Sequence, residues 1–334
     1  EISCSLVGSE MCIRDSLYDI TDAGNFEGKS IPNRIHTSEN GSDINDPRLE
    51  KLYEYRINRT KLHKDDKILL SWNAWAMIAL AKAGQVLEEP SYLDAAIRIH
   101  DFIESKMVTG NDRLYLRYRD GEAAYVGQLD DYAVYALALL EIYRVTFDAK
   151  YLQCALHHAK QMVELFEDKN KGGYFMTAFD GEQLIARPKE TYDGAMPSDN
   201  SVVAMVLQTL ASLTGEPEWQ AAADRQLSFL AGEIGEYPSA SCFGVLAMMD
   251  ALYPHRELVC VARDSQPGEL TAYLREHPAD DLQVLLKTKE SADVLSKCAP
   301  FTKDYPIPEQ GTMYYLCENG ACKAPVSDFS KLHL

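Results

Sequence analysis

Apolar residues recur at helical spacing along most of the chain. Leu49, Leu52, Tyr53 and Arg56 share that spacing and predict a helix over 47–60. Residues 68–87 are apolar on nearly every side, as in a helix buried all round. Pro90 stands where a first-turn proline is tolerated, and 92–107 follows with Leu93, Ala96, Ile97, His100 and Ile103 on one stripe. Residues 113–125 then read as two short strands around Asp120-Gly121, a strong hairpin turn. An apolar helix over 129–147 and an amphipathic one over 151–166 come next.

The pattern then repeats. Residues 173–186 predict two strands around Asp180-Gly181, followed by helices over 198–213 and 219–234, and 239–252 begins a third unit. The two Asp-Gly turns lie 60 residues apart, from 121 to 181. A repeated pair of one apolar and one amphipathic helix means stacked helical hairpins. If the hairpins close into a ring, the inner helices all start at the same end. After Tyr253 the pattern changes: 257–262 and 282–287 are short apolar strands around a helix at 270–277, an arrangement that predicts parallel pairing, and Met313 to Cys317 gives a third strand.

Composition narrows the class. The chain has 334 residues, 46% hydrophobic and 25% charged, which is ordinary globular material. Its net charge of −18 repels phosphate backbones and anionic lipid, so nucleic acid and membrane surfaces are excluded as expected partners. A small neutral or cationic ligand suits that charge, as does solubility alone. No apolar run reaches the ~18 residues that a membrane helix needs. The eight cysteines are dispersed and form no C-x-x-C pair, so a reducing cytoplasm is the simplest compartment. Residues 1–16 lack periodicity and are expected to be a leader foreign to the rest, with an artefactual origin. A first residue of Glu1 instead of Met predicts a fragment.

Polar motifs fall at equivalent places in the repeat. Asp65, Asp66 and Lys67 precede the helix that carries Trp72 and Asn73. Asp130, Asp131 and Tyr132 open the next inner helix. Arg187, Lys189, Glu190, Tyr192 and Asp193 lead into the third, which opens over 198–201 with Asn200. In a ring these groups converge on one mouth, where a ligand site is expected. Carboxylates and serines at helix starts also cap free N–H groups, so Asp130 and Ser198 read equally as caps. Asp66 and Lys67 read equally as a solvated ion pair.

Two chemistries fit the motifs. Glycoside hydrolysis needs two carboxyl groups, and the pool is Asp66, Asp131, Glu190 and Asp193. Trp72, Asn73, Tyr132, Arg187, Lys189, Tyr192 and Asn200 would bind the sugar. Epimerisation needs a base near neutrality, and His63 is the one histidine beside a motif. His157 and His158 lie on an outer helix and read as surface or packing residues. Cys317 and Cys322 flank the turn signal Asn319-Gly320; they form either a plain hairpin or a labile redox pair. Phosphate loops, dinucleotide fingerprints, zinc-protease motifs and serine-hydrolase elbows are absent from the sequence. No metal site and no cofactor is expected.

Several stretches together resemble one family: YDITDAGNFEGK (18–29), DDKILLSWN (65–73), QLDDYA (128–133), GGYFMT (172–177), RPKETYDGAMPSDNS (187–201) and CENGACKAP (317–325). The chain is similar, from residue 17 to about 326, to the YyaL-type thioredoxin-domain-containing proteins. That resemblance implies a thioredoxin-like domain, which this sequence lacks, ahead of an (α/α) toroid related in shape to the six-hairpin glycosidases and sugar 2-epimerases. Joined to the pattern along the chain, it gives a mainly α fold: an incomplete (α/α)6 toroid over 17–254 with a small C-terminal α/β subdomain over 255–334. The motif residues, and not the resemblance, point to a carbohydrate-related role, either hydrolase-like or epimerase-like, with a neutral sugar as ligand. The alternative is a non-enzymatic toroid that binds a partner or peptide for the thioredoxin-like domain of the same protein. The sequence departs from the family where Ala74 replaces a Gly, Leu62 a Pro, Lys64 an apolar residue, and Asp199 a Gly before Asn200.

Overall fold

The structure is a computed structural model that describes residues 15, 17–36, 47–59, 61, 63–182, 185–253, 256–278, 282–318 and 321–334. The chain forms two compact units, Glu1–Asp65 and Asp66–Leu334. Of the expected leader, only Asp15 lies among the described residues.

In the first unit, the side chain of Asn25 brackets Ile31. Its Oδ1 accepts the Ile31 N–H at 2.8 Å and its Nδ2 donates to the Ile31 carbonyl at 2.9 Å. His36 Nδ1 lies 2.9 Å from Asp19 Oδ2. Helix α1 spans Pro47–Arg59.

The second unit carries the repeat. Inner helices are α2 (Leu70–Val86), α4 (Leu129–Thr146), α6 (Asp199–Thr214) and α8 (Cys242–Leu252). Outer helices are α3 (Pro90–Lys106), α5 (Ala149–Phe166) and α7 (Pro217–Ile234). Each outer helix packs on the inner one before it, and α2, α4, α6 and α8 stand side by side in that order. Every residue from 131 to 140 of α4 is buried. By contrast α5 buries Tyr151, Leu152, Ala155, His158, Ala159 and Met162 at helical spacing and leaves its other face wet. The arc of hairpins is the incomplete toroid that the sequence predicts.

The first expected β-hairpin is present. Strands β2 (Tyr115–Arg119) and β3 (Glu122–Val126) pair antiparallel around Asp120 and Gly121, both at positive φ (53° and 85°), and β1 (Ile68–Leu69) adds to the β2 edge.

The second is a correction: among its described residues, 173–186 forms no strand pair. Tyr174 makes one bridge to Glu167 at the end of α5. Phe175 and Phe179 donate their N–H groups to Phe166 and Leu165. The reason is competition, since Asn200 from α6 captures both the N–H and the C=O of Tyr174.

Beyond α8, strand β4 (Arg256–Ala262), helix α9 (Gly268–Glu276) and strand β5 (Leu282–Lys287) form the expected parallel unit, and β6 (Thr312–Glu318) pairs antiparallel on the other side of β4. The sheet order is β5-β4-β6-β7, with β7 at Ala321–Cys322. Helix α10 (Ala292–Cys298) packs on α5, and β5 packs on α6, so the sheet leans on the arc. Cys317 and Cys322 face each other across β6 and β7 and are joined as a disulfide. The Asn319-Gly320 turn lies outside the described residues. No described helix is long and apolar enough to cross a membrane.

Candidate functional site

All four inner helices start at one end of the arc, where side chains at or just before one helix start tie down the start of a neighbouring helix. Asp131, in the first turn of α4, shows how. Its Oδ1 accepts the N–H of Ser71 at the start of α2 (3.1 Å), and its Oδ2 accepts the N–H of Gln128 (2.9 Å), completing a capping box. The side chain is fully enclosed, and burial pushes its carboxyl well above the usual range, aided by the charge of Asp130.

Asp193 does the same further along. Its Oδ1 accepts the N–H of Ser198 (2.7 Å) at the start of α6. Its Oδ2 accepts the N–H of Phe243 (2.6 Å) in the first turn of α8.

Between these staples lies an acidic pair. Asp130 is the second residue of α4 and Asp199 the first of α6. Burial raises the carboxyl of Asp130, and a hydrogen bond from Ser71 opposes this in part. Burial, then the charges of Asp130 and Glu190, push Asp199 up to about 7. A helix start ordinarily favours the ionised form, so desolvation and repulsion outweigh the dipole here. Trp75 of α2 meets Phe243 of α8 edge-on, ring centres 6.1 Å apart. Trp72, in the first turn of α2, is 60% exposed.

The other residues named from sequence are distributed as follows. Asp66 is half exposed and pairs with Arg119 of β2 at 2.8 Å. Glu190 is exposed, and its Oε1 accepts the Tyr192 N–H. Tyr192 is 61% exposed. Tyr132 is fully buried, its hydroxyl accepting from Arg113 Nε and the Leu114 N–H, so its ring faces core and not ligand. Asn73 donates to the Leu69 carbonyl one turn back.

Arg187 stacks on Phe175 and donates to the Thr177 carbonyl. Lys189 pairs with Asp168 at 2.7 Å, and the ammonium holds that carboxyl down at about 2. Asn200 is fully buried and also donates to the Glu190 carbonyl. These three pin the 187–193 segment in place through these hydrogen bonds and ring contacts. His63 falls in the first unit.

Sequence reasoning missed the pairing of Asp130 with Asp199. It read the first as a cap and the second only as a departure from the family. Their shared place in the first turns of successive inner helices was the available signal. A cavity of about 190 Å³ lies elsewhere, against the far halves of α4 and α6, lined by Leu140, Arg144, Thr209, Asp250 and Gln283. It shares no lining residue with the mouth.

Fold and mouth together define an incomplete toroid of helical hairpins with an acidic end. No family model matches the chain. The chain is similar to spermatogenesis-associated protein 20, in line with the family that the motifs resemble. It is 29% identical to the Rattus norvegicus protein over 293 residues, 84% of this chain and 37% of that one. It is 27% identical to the Homo sapiens protein over 345 aligned residues, 93% of this chain and 44% of that one. The chain thus spans less than half the length of these relatives.

Among solved structures it is similar to cellobiose 2-epimerase from Spirochaeta thermophila (TM-score 0.42, 18% identity, 49% of this chain and 43% of that one). It is also similar to the GH76 α-mannanase of Bacteroides thetaiotaomicron (TM-score 0.45, 18% identity, 57% and 55%). These likenesses are partial, each below a TM-score of 0.5, and bear on neither substrate nor reaction.

Proposed function

We propose that the acidic mouth binds a neutral carbohydrate and that Asp199 is its proton donor, with Asp130 the charged partner. The observation that carries this reading is the position of the Asp199 carboxyl at about 7. A carboxyl near neutrality holds a proton at working pH and can release it to a leaving oxygen. Burial raises both carboxyls, and the donor role goes to Asp199 because it also lies beside the acidic charges of Asp130 and Glu190.

Exposed Trp72 offers a face for a sugar ring, and the negative charge of Asp130 and Glu190 disfavours anionic sugars. Hydrolysis is favoured over epimerisation, because among the described residues of the second unit the groups that form the proposed mouth are carboxyls, with no histidine among them. From the sequence-named set, Glu190 is retained as the exposed carboxylate that faces Asp199. In this reading Asp131 and Asp193 hold the mouth's shape, and Asp66 shapes its edge.

The test uses the full 334-residue chain and a panel of neutral oligosaccharides. Release of reducing ends and calorimetric binding are measured for the wild type, Asp199→Asn and Asp130→Asn. The proposal expects binding in the wild type and turnover that falls by roughly 100-fold or more in Asp199→Asn. Neither binding nor turnover across the panel would sink it.

A further inference from the structure

A second group of reactive side chains lies on the outer wall, away from the mouth. Glu104 near the end of α3, Cys154 on α5 and His158 one turn further along α5 present Oε1, Sγ and Nε2 within 4.8 Å of one another. Among the described residues, they are the one such set of metal-ligand atoms. Sequence spacing hides it, because Glu104 comes from a different hairpin, 50 residues before Cys154.

The hydrogen bonding converges on one oxygen. Glu104 Oε1 faces Tyr135 Oη at 2.6 Å, His158 Nε2 at 3.3 Å and Cys154 Sγ at 3.5 Å. One carboxylate oxygen has two lone pairs, which Tyr135 and Cys154 already fill, so His158 Nε2 is either a third donor or, in its other tautomer, a lone pair facing the carboxylate. The carboxylate-to-imidazole and carboxylate-to-thiol spacings also suit a cation. Zinc bonds of ~2.0 Å to oxygen and nitrogen and ~2.3 Å to sulfur, at tetrahedral angles, put ligand oxygen and nitrogen roughly 3.3 Å apart and oxygen and sulfur roughly 3.5 Å apart.

Charge also balances. A thiolate and a carboxylate neutralise one divalent cation, and the imidazole adds none. Tyr135 would remain as the group that orients the carboxylate, itself held by His100 Nδ1 at 2.8 Å.

We propose that Glu104, Cys154 and His158 form a binding site for a borderline-soft divalent cation of the zinc class. The thiol proton leaves to solvent as the metal–sulfur bond forms. With three protein ligands, and with Glu104 at 36% side-chain exposure, the fourth position opens to solvent. His158 Nδ1 is buried without a partner. The ring therefore lacks the oriented second hydrogen bond that strengthens most metal-bound histidines, and exchangeable binding is expected in place of a permanent structural ion.

The probe is Co²⁺, titrated into the full chain kept reduced. The expected result is one Co²⁺ per chain with a sulfur-to-cobalt charge-transfer band, displaced by Zn²⁺. Cys154→Ser should abolish the band, and His158→Gln should weaken binding about 10-fold or more. Cys242→Ser, which alters an exposed thiol elsewhere, should change nothing. A second readout needs no variant: Zn²⁺ should slow alkylation of Cys154 in the wild type, followed by mass spectrometry. No charge-transfer band, a band that survives Cys154→Ser, or unaltered alkylation of Cys154 would each overturn the site and leave a hydrogen-bonded cluster.

Discussion

The carboxylate of Asp131 on α4 accepts the backbone N–H of Ser71 at the start of α2, 3.1 Å away. One side chain thus holds two successive inner helices in register at the mouth. Asp131→Ala leaves the N–H groups of Ser71 and Gln128 buried without acceptors. Each such group costs roughly 1–3 kcal/mol, so a loss of about 3 kcal/mol is expected in urea unfolding. A catalytic role alone would lower turnover with unchanged stability, so measuring both separates the two.

Asp199 gives a pH dependence of unusual sign. Its folded value of about 7 lies above the ordinary carboxylate value near 4. The unfolded chain loses that proton first, so stability falls as pH rises between these values and stays low above about 7. Asp199→Asn removes the penalty. Its melting temperature should exceed that of the wild type by several degrees at pH 8 and match it near pH 4. Equal gains at both pH values would show that charge is not the cause.

Gly244 of α8 tests the closeness of α6 and α8. Helix propensity alone makes Gly→Ala stabilising by about 1 kcal/mol. A Cβ there would lie 2.9 Å from Ser201 Oγ and 2.7 Å from Ile234 Cδ1. Ser201 Oγ is held by Ser198 Oγ at 2.7 Å and cannot retreat freely. Overpacking of this kind costs about 1–3 kcal/mol, so Gly244→Ala is expected to destabilise, as read by denaturant midpoint.

Leu246, Met249 and Leu252 share one face of α8 and are 52%, 42% and 83% exposed. An apolar face of an inner helix in contact with water favours self-association. Light scattering of the purified chain should show concentration-dependent growth, reduced by Leu246→Lys with Leu252→Lys. A monodisperse sample at all concentrations would contradict this.

Cys317 and Cys322 are joined, whereas Cys242 is free and exposed. Alkylation of native chain prepared without reductant should label Cys242 and spare the pair, and prior reduction should open both to label. Labelling of the pair without reduction would show that the bond does not persist in solution.

The sequence by itself determined the elements and their order. Apolar α4 and amphipathic α5 announce inner and outer helices because hydrophobic periodicity reports directly on which face meets core. Asp120-Gly121 announces its hairpin because a two-residue turn needs positive φ at both positions, which Asp and Gly tolerate. The parallel β4–β5 pair follows from a strand–helix–strand run. The family resemblance was legible in part for the same reason: three of its six motifs, at 65–73, 128–133 and 187–201, run into helix starts, where local rules are strongest.

Tertiary structure alone decided what those motifs do. Asp180-Gly181 carries the same turn signal as Asp120-Gly121, yet no hairpin forms among its described residues, because Asn200, 26 positions after Tyr174, takes the backbone groups that a strand pair would use. Tyr132 and Asn200 look like ligand contacts in sequence and are spent on buried hydrogen bonds. Asp130 and Asp199 look like a cap and a family departure, and neighbouring helix starts bring them together. Glu104, Cys154 and His158 meet only because α3 and α5 share a wall. Local pattern fixes a residue's secondary structure and face. The dielectric around a carboxyl, and the partner it finds, depend on residues tens of positions away, and only the folded arc brings those together.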